Sequence, residues 1–126
     1  MKETKKRDLI LEMLQNPPEE AKGWTRWWWY GCAVTHEEII RELHFMKEVG
    51  LGGAEIAILY PLAADEEKKG IYNIPFYSPE FFEILDFTLT EAKKLGLGID
   101  FTLGSSWPYG GPFVPQDMAP QMVTTW

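Results

Sequence analysis

The sequence of 126 residues contains a single cysteine, Cys32, and only two histidines. One cysteine excludes an internal disulfide framework, and one thiol with two imidazoles cannot complete a tetrahedral structural zinc site. Basic residues are also few, since 12 Lys and Arg stand against 19 Asp and Glu, for a formal net charge of −7. An acidic surface repels phosphate backbones, so we expect no nucleic-acid partner.

Long apolar runs are missing as well. No stretch approaches the roughly 20 apolar residues that a membrane-spanning helix needs, so we expect no membrane partner. The basic start at 1–7 is followed by only three apolar residues, Leu9-Ile10-Leu11, before Glu12 interrupts them. That run is too short for the apolar region of a signal peptide, and the sequence therefore predicts a cytoplasmic location.

The sequence does contain three strand signals in alternation with helix signals. An aromatic run at 24–30 and apolar runs at 53–60 and 98–103 favour buried strands. A short helix is predicted at about 8–15, before the first strand, and the residues that lead to Trp126 predict the start of another helix.

The two helices between the strands have clear ends. Thr35 and Glu38 form a capping box, and Gly50 occupies the position of a left-handed C-cap. Ser78 is the predicted N-cap of the second helix, with Pro79 at its first position and Gly96 after its end. The 3.6-residue period predicts the buried positions of this helix as Phe81, Ile84, Leu85, Leu89, Ala92 and Leu95.

One short pattern occurs twice, as EVGLG at 48–52 and KLGLG at 94–98. Each copy joins the end of a helix to an apolar strand that carries an early carboxylate. Strand, helix and strand in this order predict an α/β fold built from parallel βαβ units. The glycines precede strands rather than helices, so we interpret them as caps and not as a phosphate-binding loop.

Ligands of parallel α/β folds bind at the carboxyl ends of the strands. In this sequence those ends are aromatic and hydroxylic, and they contain no His, Lys or Arg, which favours a neutral, polyhydroxylated ligand. The aromatic rings at 27 and 28 are interpreted as core, whereas the loop after the third strand is interpreted as ligand lining. The candidate substrate-binding residues are Trp29, Tyr60, Ser105, Ser106, Trp107 and Tyr109.

Two carboxylates, Glu55 and Asp100, occupy equivalent positions early in the second and third strands. Strand alternation places both on the face that also holds Thr102, opposite Ile56 and Phe101. Their distance from the carboxyl ends favours a structural network in the lower part of the sheet. Glu55 remains the one catalytic candidate within the chain, and no metal ligands are assigned.

Several motifs resemble the opening of the bacterial α-L-rhamnosidases of glycoside hydrolase family 106. They are NPPEEA at 16–21, TRWWW at 25–29, VT at 34–35, MKEVGLGGAEI at 46–56, SPEF at 78–81, AKKLGLGID at 92–100 and, most specifically, GSSWPYGGP at 104–112. The similarity extends over about 16–120, which is nearly the whole chain.

This resemblance implies a (β/α)8 TIM barrel in proteins several times longer than this chain. It also implies hydrolysis of terminal α-L-rhamnosides with inversion by two carboxylates, assisted by calcium, in proteins that are often exported. The catalytic pair of the family lies on later strands, so no catalytic residue is assigned by resemblance. The implied partner is a rhamnose-containing glycan.

A barrel needs about 200 residues or more, so we expect the sequence to be an N-terminal fragment with about the first three βα units. Residues 1–23 are then a helix and connector, and 24–126 begin the barrel. We expect the fragment alone to be inactive and to self-associate through its exposed edges. The alternatives are a stand-alone carbohydrate-binding or assembly module without catalysis, and a barrel hydrolase with another sugar specificity.

Overall fold

The computed structural model describes residues 2–102, 104, 107, 110, 114–119 and 121. The helices and strands are α1 (Lys2–Gln15), β1 (Trp24–Tyr30), α2 (His36–Glu48), β2 (Gly53–Leu59), α3 (Pro79–Leu95) and β3 (Gly98–Phe101), with 3-10 turns at Glu19–Ala21 and Glu67–Lys69. Helix α1 begins six residues earlier than the predicted 8–15. In the described part of the chain, no helix combines the length and the apolar character needed to cross a bilayer.

The three strands form one parallel sheet in the order β1-β2-β3. Trp24 pairs with Gly53, which in turn pairs with Gly98, so all three strands begin at the same level. The predicted α/β class and the parallel pairing are confirmed. The helix predicted in the residues that lead to Trp126 is not formed at 116–119, which form a turn, and 120 and 122–126 lie outside the described residues.

The third strand ends at Phe101, before the end of the predicted 98–103, and Leu103 lies outside the described residues. The Thr102 N–H still donates to the Ile56 carbonyl at 3.0 Å, and the Trp107 N–H then donates to the Ile58 carbonyl at 2.9 Å. Trp107 thus returns to β2 beside Leu59, with which it forms an isolated parallel bridge.

The predicted N-caps are confirmed by hydrogen bonds. Thr35 Oγ1 accepts the Glu38 N–H at 3.3 Å, and Ser78 Oγ accepts the Phe81 N–H at 3.2 Å. The capping box itself is incomplete, because the Glu38 carboxylate binds the Arg41 guanidinium instead of the Thr35 backbone. An Arg three residues along a helix reaches the same carboxylate and adds an ion pair.

The repeated pattern at 48–52 and 94–98 produces the same helix end twice. Gly50 and Gly96 have φ angles of 82° and 67°, in the left-handed region that glycine adopts without strain. The residue after each glycine donates its N–H back across the turn, from Leu51 to Met46 and from Leu97 to Ala92, both at 3.0 Å. Both ends are Schellman caps, which confirms that these glycines are caps.

Helices α2 and α3 cover one side of the sheet, which we call the helix face. Its buried core comprises Trp27, Trp29, Cys32, Ile39, Leu43, Met46, Ala54, Ile56, Ile58, Phe81, Ile84, Ala92 and Leu97. One prediction for α3 is wrong, since Leu89 is exposed and Thr88 is buried instead. Thr88 is accommodated because its hydroxyl donates to the Ile84 carbonyl at 2.7 Å.

Candidate functional site

The other side of the sheet, the open face, carries the alternate residues of β1. Register and alternation place Trp24, Arg26, Trp28 and Tyr30 on this face. All four side chains are exposed, and Trp28 is 45% exposed. The prediction that Trp28 is core is therefore wrong.

Trp29 points the opposite way, toward the helices, and is only 1% exposed. Its ring packs edge-to-face against Trp27, with centroids 5.4 Å apart. The Trp27 indole N–H donates to the Glu42 carboxylate on α2, which fixes the pair against that helix. Trp29 is therefore enclosed by the helix face, although the residue also contributes to the lining of the cleft between β1 and α2.

The middle of the open face holds a hydrogen-bonded group that joins all three strands. Arg26 donates from Nε and Nη2 to Glu55 Oε2, at 3.0 and 2.6 Å. Thr102 Oγ1 donates to the other carboxylate oxygen, Oε1, at 2.6 Å. The guanidinium carbon of Arg26 also lies 5.4 Å from the centre of the Trp28 ring, within the range of a cation–π contact.

These contacts determine the charge of Glu55. The Thr102 hydroxyl, and then the Arg26 guanidinium, lower the pKa of the Glu55 carboxyl below its usual value. Asp100 lies beside Glu55 in register, but its Oδ1 accepts the Phe101 N–H at 2.8 Å. The two carboxylates therefore have separate partners, and Glu55 has the ion-pair role expected of a structural residue.

The lower end of the open face is covered by the Trp24 ring. A Cβ added to Gly53 would lie 2.8 Å from this ring, and one added to Gly98 would lie 2.4 Å from it. Trp24 thus lies directly over the two glycines that begin β2 and β3. Each glycine is required here by a close approach and not by its backbone angles.

Two of the predicted ligand residues lie at the carboxyl ends of the strands. Tyr60 directly follows β2 and is 52% exposed, and Trp107, beside Leu59, is 57% exposed. Ser105, Ser106 and Tyr109 lie outside the described residues. Two further exposed rings, Trp28 and Tyr30, lie on the open face but are absent from the list of candidates. Strand alternation in β1, counted from Arg26, places both of them on that face.

The loop between β2 and α3 crosses over the end of β1. Asn73 fixes this loop, because its N–H and its side-chain amide both donate to Asp65 Oδ1, at 2.9 and 2.7 Å. Asn73 also packs on Gly31, where an added Cβ would lie 2.1 Å from its Oδ1. A cleft of about 390 Å³ lies between this loop, β1 and α2, and Trp28, Tyr30 and Asn73 contribute to its lining.

Cys32 follows β1 but is not a candidate nucleophile. The side chain is 1% exposed, and burial raises the pKa of its thiol to about 12. A thiol with such a pKa remains protonated near neutral pH, and the thiolate is the reactive form. Among the described residues, no group of three or more His, Cys, Asp or Glu side chains could hold a metal ion.

Comparison with known proteins connects this arrangement to glycoside hydrolases. The family model of the alpha-L-rhamnosidases of glycoside hydrolase family 106 matches residues 15–125. The structure resembles a rhamnosidase from Novosphingobium sp. PP1Y, with a TM-score of 0.67 and 26% identity, over 82% of this chain and 10% of that one.

A curated relative is 28% identical over 112 residues, which is 86% of this chain and 9% of the relative. It is a protein of Formosa agariphila named "Putative beta-glucuronidase". The chain thus spans about a tenth of the length of either protein. Because the family model covers nearly all of the chain, the chain belongs to glycoside hydrolase family 106, the alpha-L-rhamnosidase family.

Proposed function

We propose that this chain supplies the first three βα units of a (β/α)8 barrel that hydrolyses terminal α-L-rhamnosides. The open face would then form part of the barrel interior, with its upper end at the sugar site. The observation that carries the proposal is the group of exposed aromatic side chains, Trp28, Tyr30 and Trp107, in the upper half of this parallel sheet. Aromatic rings there can stack on the C–H faces of a sugar.

The sheet itself supports barrel closure. In the part of the chain that the structure describes, β1 and β3 each pair on one side only. Unpaired edges of parallel strands are costly, and a barrel removes them by adding strands until the sheet closes. Helices on only one face of the sheet match the outer ring of helices of such a barrel.

The charges of the open face favour a neutral sugar over an acidic one. Arg26 is the only cation that β1, β2 and β3 contribute there among the described residues, and Glu55 already neutralises it at 2.6 Å. Asp100 adds a further negative charge to the same face. A glucuronide would bring a carboxylate to this surface without an uncompensated cation to receive it, whereas a rhamnoside carries no charge.

The proposed reaction is inverting hydrolysis by two carboxyl groups about 6.5–9.5 Å apart, one as acid and one as base. Neither role is assigned to Glu55. Its lowered pKa keeps the carboxyl ionised, so it cannot protonate the leaving oxygen as the acid. Its two oxygens already accept bonds from Thr102 and Arg26, and these bonds weaken it as a base toward water. The pair would come from parts of the longer proteins that this chain does not match.

Calcium, which the family resemblance implies, is not assigned to residues of this chain. The described part contains no cluster of three carboxylate, thiol or imidazole groups with suitable spacing, and Ca²⁺ prefers six to eight oxygen ligands. No step of the proposed reaction therefore involves a metal held by these residues.

The proposal can be tested by exchange of segments. Residues 15–125 would replace the matching segment of the Novosphingobium rhamnosidase, and the chimera would be assayed on an aryl α-L-rhamnoside, with ¹H NMR to identify the first anomer released. We expect turnover with the β-anomer as product, and none from the 126-residue chain alone. A folded chimera without turnover, or release of the α-anomer, would contradict the proposal.

Direct binding to the 126-residue chain provides a second measurement that does not depend on the chimera. The Kd for methyl α-L-rhamnoside would be measured by calorimetric titration, and the Trp28 indole signal of the wild type would be followed by NMR. A Trp28→Ala variant should bind more weakly by calorimetry, and a Trp24→Ala variant, at the opposite end, should bind as the wild type does. Equal binding by the wild type and the Trp28→Ala variant would remove the open face from the sugar site.

A further inference from the structure

The open face contains a chain of contacts that ends on an aromatic ring. Thr102 donates to one oxygen of Glu55, the other oxygen accepts two N–H groups of Arg26, and the Arg26 guanidinium lies over the ring of Trp28. Each contact crosses from one strand to the next or joins neighbours on one face of β1. None of these bonds is needed to form the sheet, whose backbone ladder is complete without them.

The position of Trp28 explains why such a chain would matter. The ring is 45% exposed, so the core packing that fixes Trp27 and Trp29 does not fix this side chain. An exposed indole can adopt several rotamers, and a ligand that stacks on it must first pay for the loss of that freedom. A cation held over one side of the ring restricts it before the ligand arrives.

The guanidinium is itself restricted by Glu55. The Nε and Nη2 donors of Arg26 converge on the single oxygen Oε2, and two bonds from one edge of the planar group limit its rotation more than one bond would. The Thr102 hydroxyl in turn holds the opposite oxygen of the carboxylate. Thr102 also precedes the return of the chain to β2, since its N–H donates to the Ile56 carbonyl and the Trp107 N–H donates to the Ile58 carbonyl.

We propose that Glu55 and Arg26 are positioning residues, which hold the Trp28 indole as a preformed stacking surface for the sugar. This inference rests on the proposed function for the identity of the ligand, but the coupling between Glu55 and Trp28 is a property of the free protein. Two kinds of measurement can therefore separate the two proposals.

The first measurement follows the Trp28 indole N–H of the ligand-free, 126-residue chain by NMR between pH 7 and pH 3. Protonation of Glu55 removes the charge that orients Arg26, so the Trp28 signal should shift with the Glu55 titration, below the usual carboxyl pKa. The charged groups that face Glu55 are Arg26 on β1 and Asp100 on β3. The shift should persist in Asp100→Asn and disappear in Glu55→Gln.

The second measurement is the Kd for methyl α-L-rhamnoside. A cation–π contact at an exposed site corresponds to about a two- to fivefold change in an equilibrium constant, so Arg26→Gln should weaken binding by about that factor. The matched control is Arg41→Gln, which removes an Arg that also pairs with a Glu but lies on the surface of α2. Thr102→Val removes the hydroxyl that donates to Glu55 and should weaken binding less than Arg26→Gln does. Thr102→Ser keeps the hydroxyl and should bind with the Kd of the wild type.

The outcomes are distinct. If the Trp28 signal follows Asp100 instead of Glu55, or does not respond to pH, the positioning role is wrong whether or not the sugar binds. If neither the wild type nor any variant binds the rhamnoside, but the pH-dependent shift of the Trp28 signal is present, the proposed sugar site is wrong. The coupling between Glu55 and Trp28 is then still supported. If Arg26→Gln fails to fold by circular dichroism, the pH titration of Glu55→Gln and Asp100→Asn still decides.

Discussion

Both faces of the sheet carry tryptophan, but these side chains are buried on the helix face and exposed on the open face. On the helix face, Trp27 and Trp29 are 6% and 1% exposed and pack into a continuous core. On the open face, Trp28 lies one position away on the same strand and is 45% exposed, beside an ion pair. The comparison shows that the parity of a strand position, and not the residue type, determines whether a tryptophan stabilises the fold or is available for a ligand.

The sharpest test of this difference replaces one tryptophan on each face. Trp29→Ala should lower the free energy of unfolding by about 3–5 kcal/mol, because it opens a cavity in the core. Trp28→Ala should lower it by less than about 1 kcal/mol, since an exposed ring contributes little packing. Urea denaturation of both variants measures the two values, and similar losses would abolish the distinction between the faces.

Substitutions at the lower end of the open face should destabilise the fold more than substitutions elsewhere on that face. Gly98→Ala places a Cβ 2.4 Å from the Trp24 ring, so we expect a loss of about 1–3 kcal/mol by thermal denaturation. Gly70→Ala provides a useful contrast, since its φ of 67° strains an alanine although no atom lies within 4 Å. If Trp24→Ala does not relieve the Gly98→Ala defect, contact with that ring is not its cause.

The ion pair makes the open face the more sensitive of the two to acid. The pKa of Glu55 is lowered in the folded state, so its stabilising contribution is complete above its unfolded pKa of about 4.3. That contribution is lost as the pH falls through the lower, folded value. The unfolding midpoint in urea should therefore decrease less steeply between pH 5 and pH 3 in Glu55→Gln than in the wild type. Parallel curves would assign the acid sensitivity to other carboxylates.

The last prediction concerns the rate at which Cys32, a core residue of the helix face, is alkylated. Burial raises its pKa to about 12, so iodoacetamide at pH 8 should modify the folded chain far more slowly than the urea-unfolded chain. Mass spectrometry over time gives both rates. Equal rates would mean that the end of β1 opens readily and that the core does not extend to this residue.

Most of the fold could be predicted because its signals are local. Ser78 and Gly96 define the ends of α3 by short-range hydrogen bonds, and each is decided within a few residues of sequence. Leu89 lies four residues after Leu85, and Thr88 lies four residues after Ile84, so both positions fit the helical spacing and the apolar residue is the one that the pattern selects. The Thr88 hydroxyl can be buried because it donates to the Ile84 carbonyl within the same helix. The residue type alone does not predict that bond.

The site was less predictable because it depends on pairing between distant residues. The bonds of Glu55 to Arg26 and Thr102 cross 29 and 47 positions of sequence. The return of Trp107 to β2 depends on where the chain leaves the sheet, which no short motif specifies. Alternation within β1 is available from the sequence, and it predicts Trp28 on the open face and Trp29 on the helix face.

The departure of the chain after Thr102 also has a consequence for engineering. Ile56 and Ile58 accept consecutive hydrogen bonds, which in a regular parallel strand would come from residues two apart, yet here they come from Thr102 and Trp107. Three surplus residues therefore lie between two fixed attachment points. Insertions or deletions at this place would change the length of the segment next to the proposed sugar site without a shift in strand register. Variants of different length at this place would therefore change the proposed sugar site while the bonds of Thr102 and Trp107 to β2 are kept.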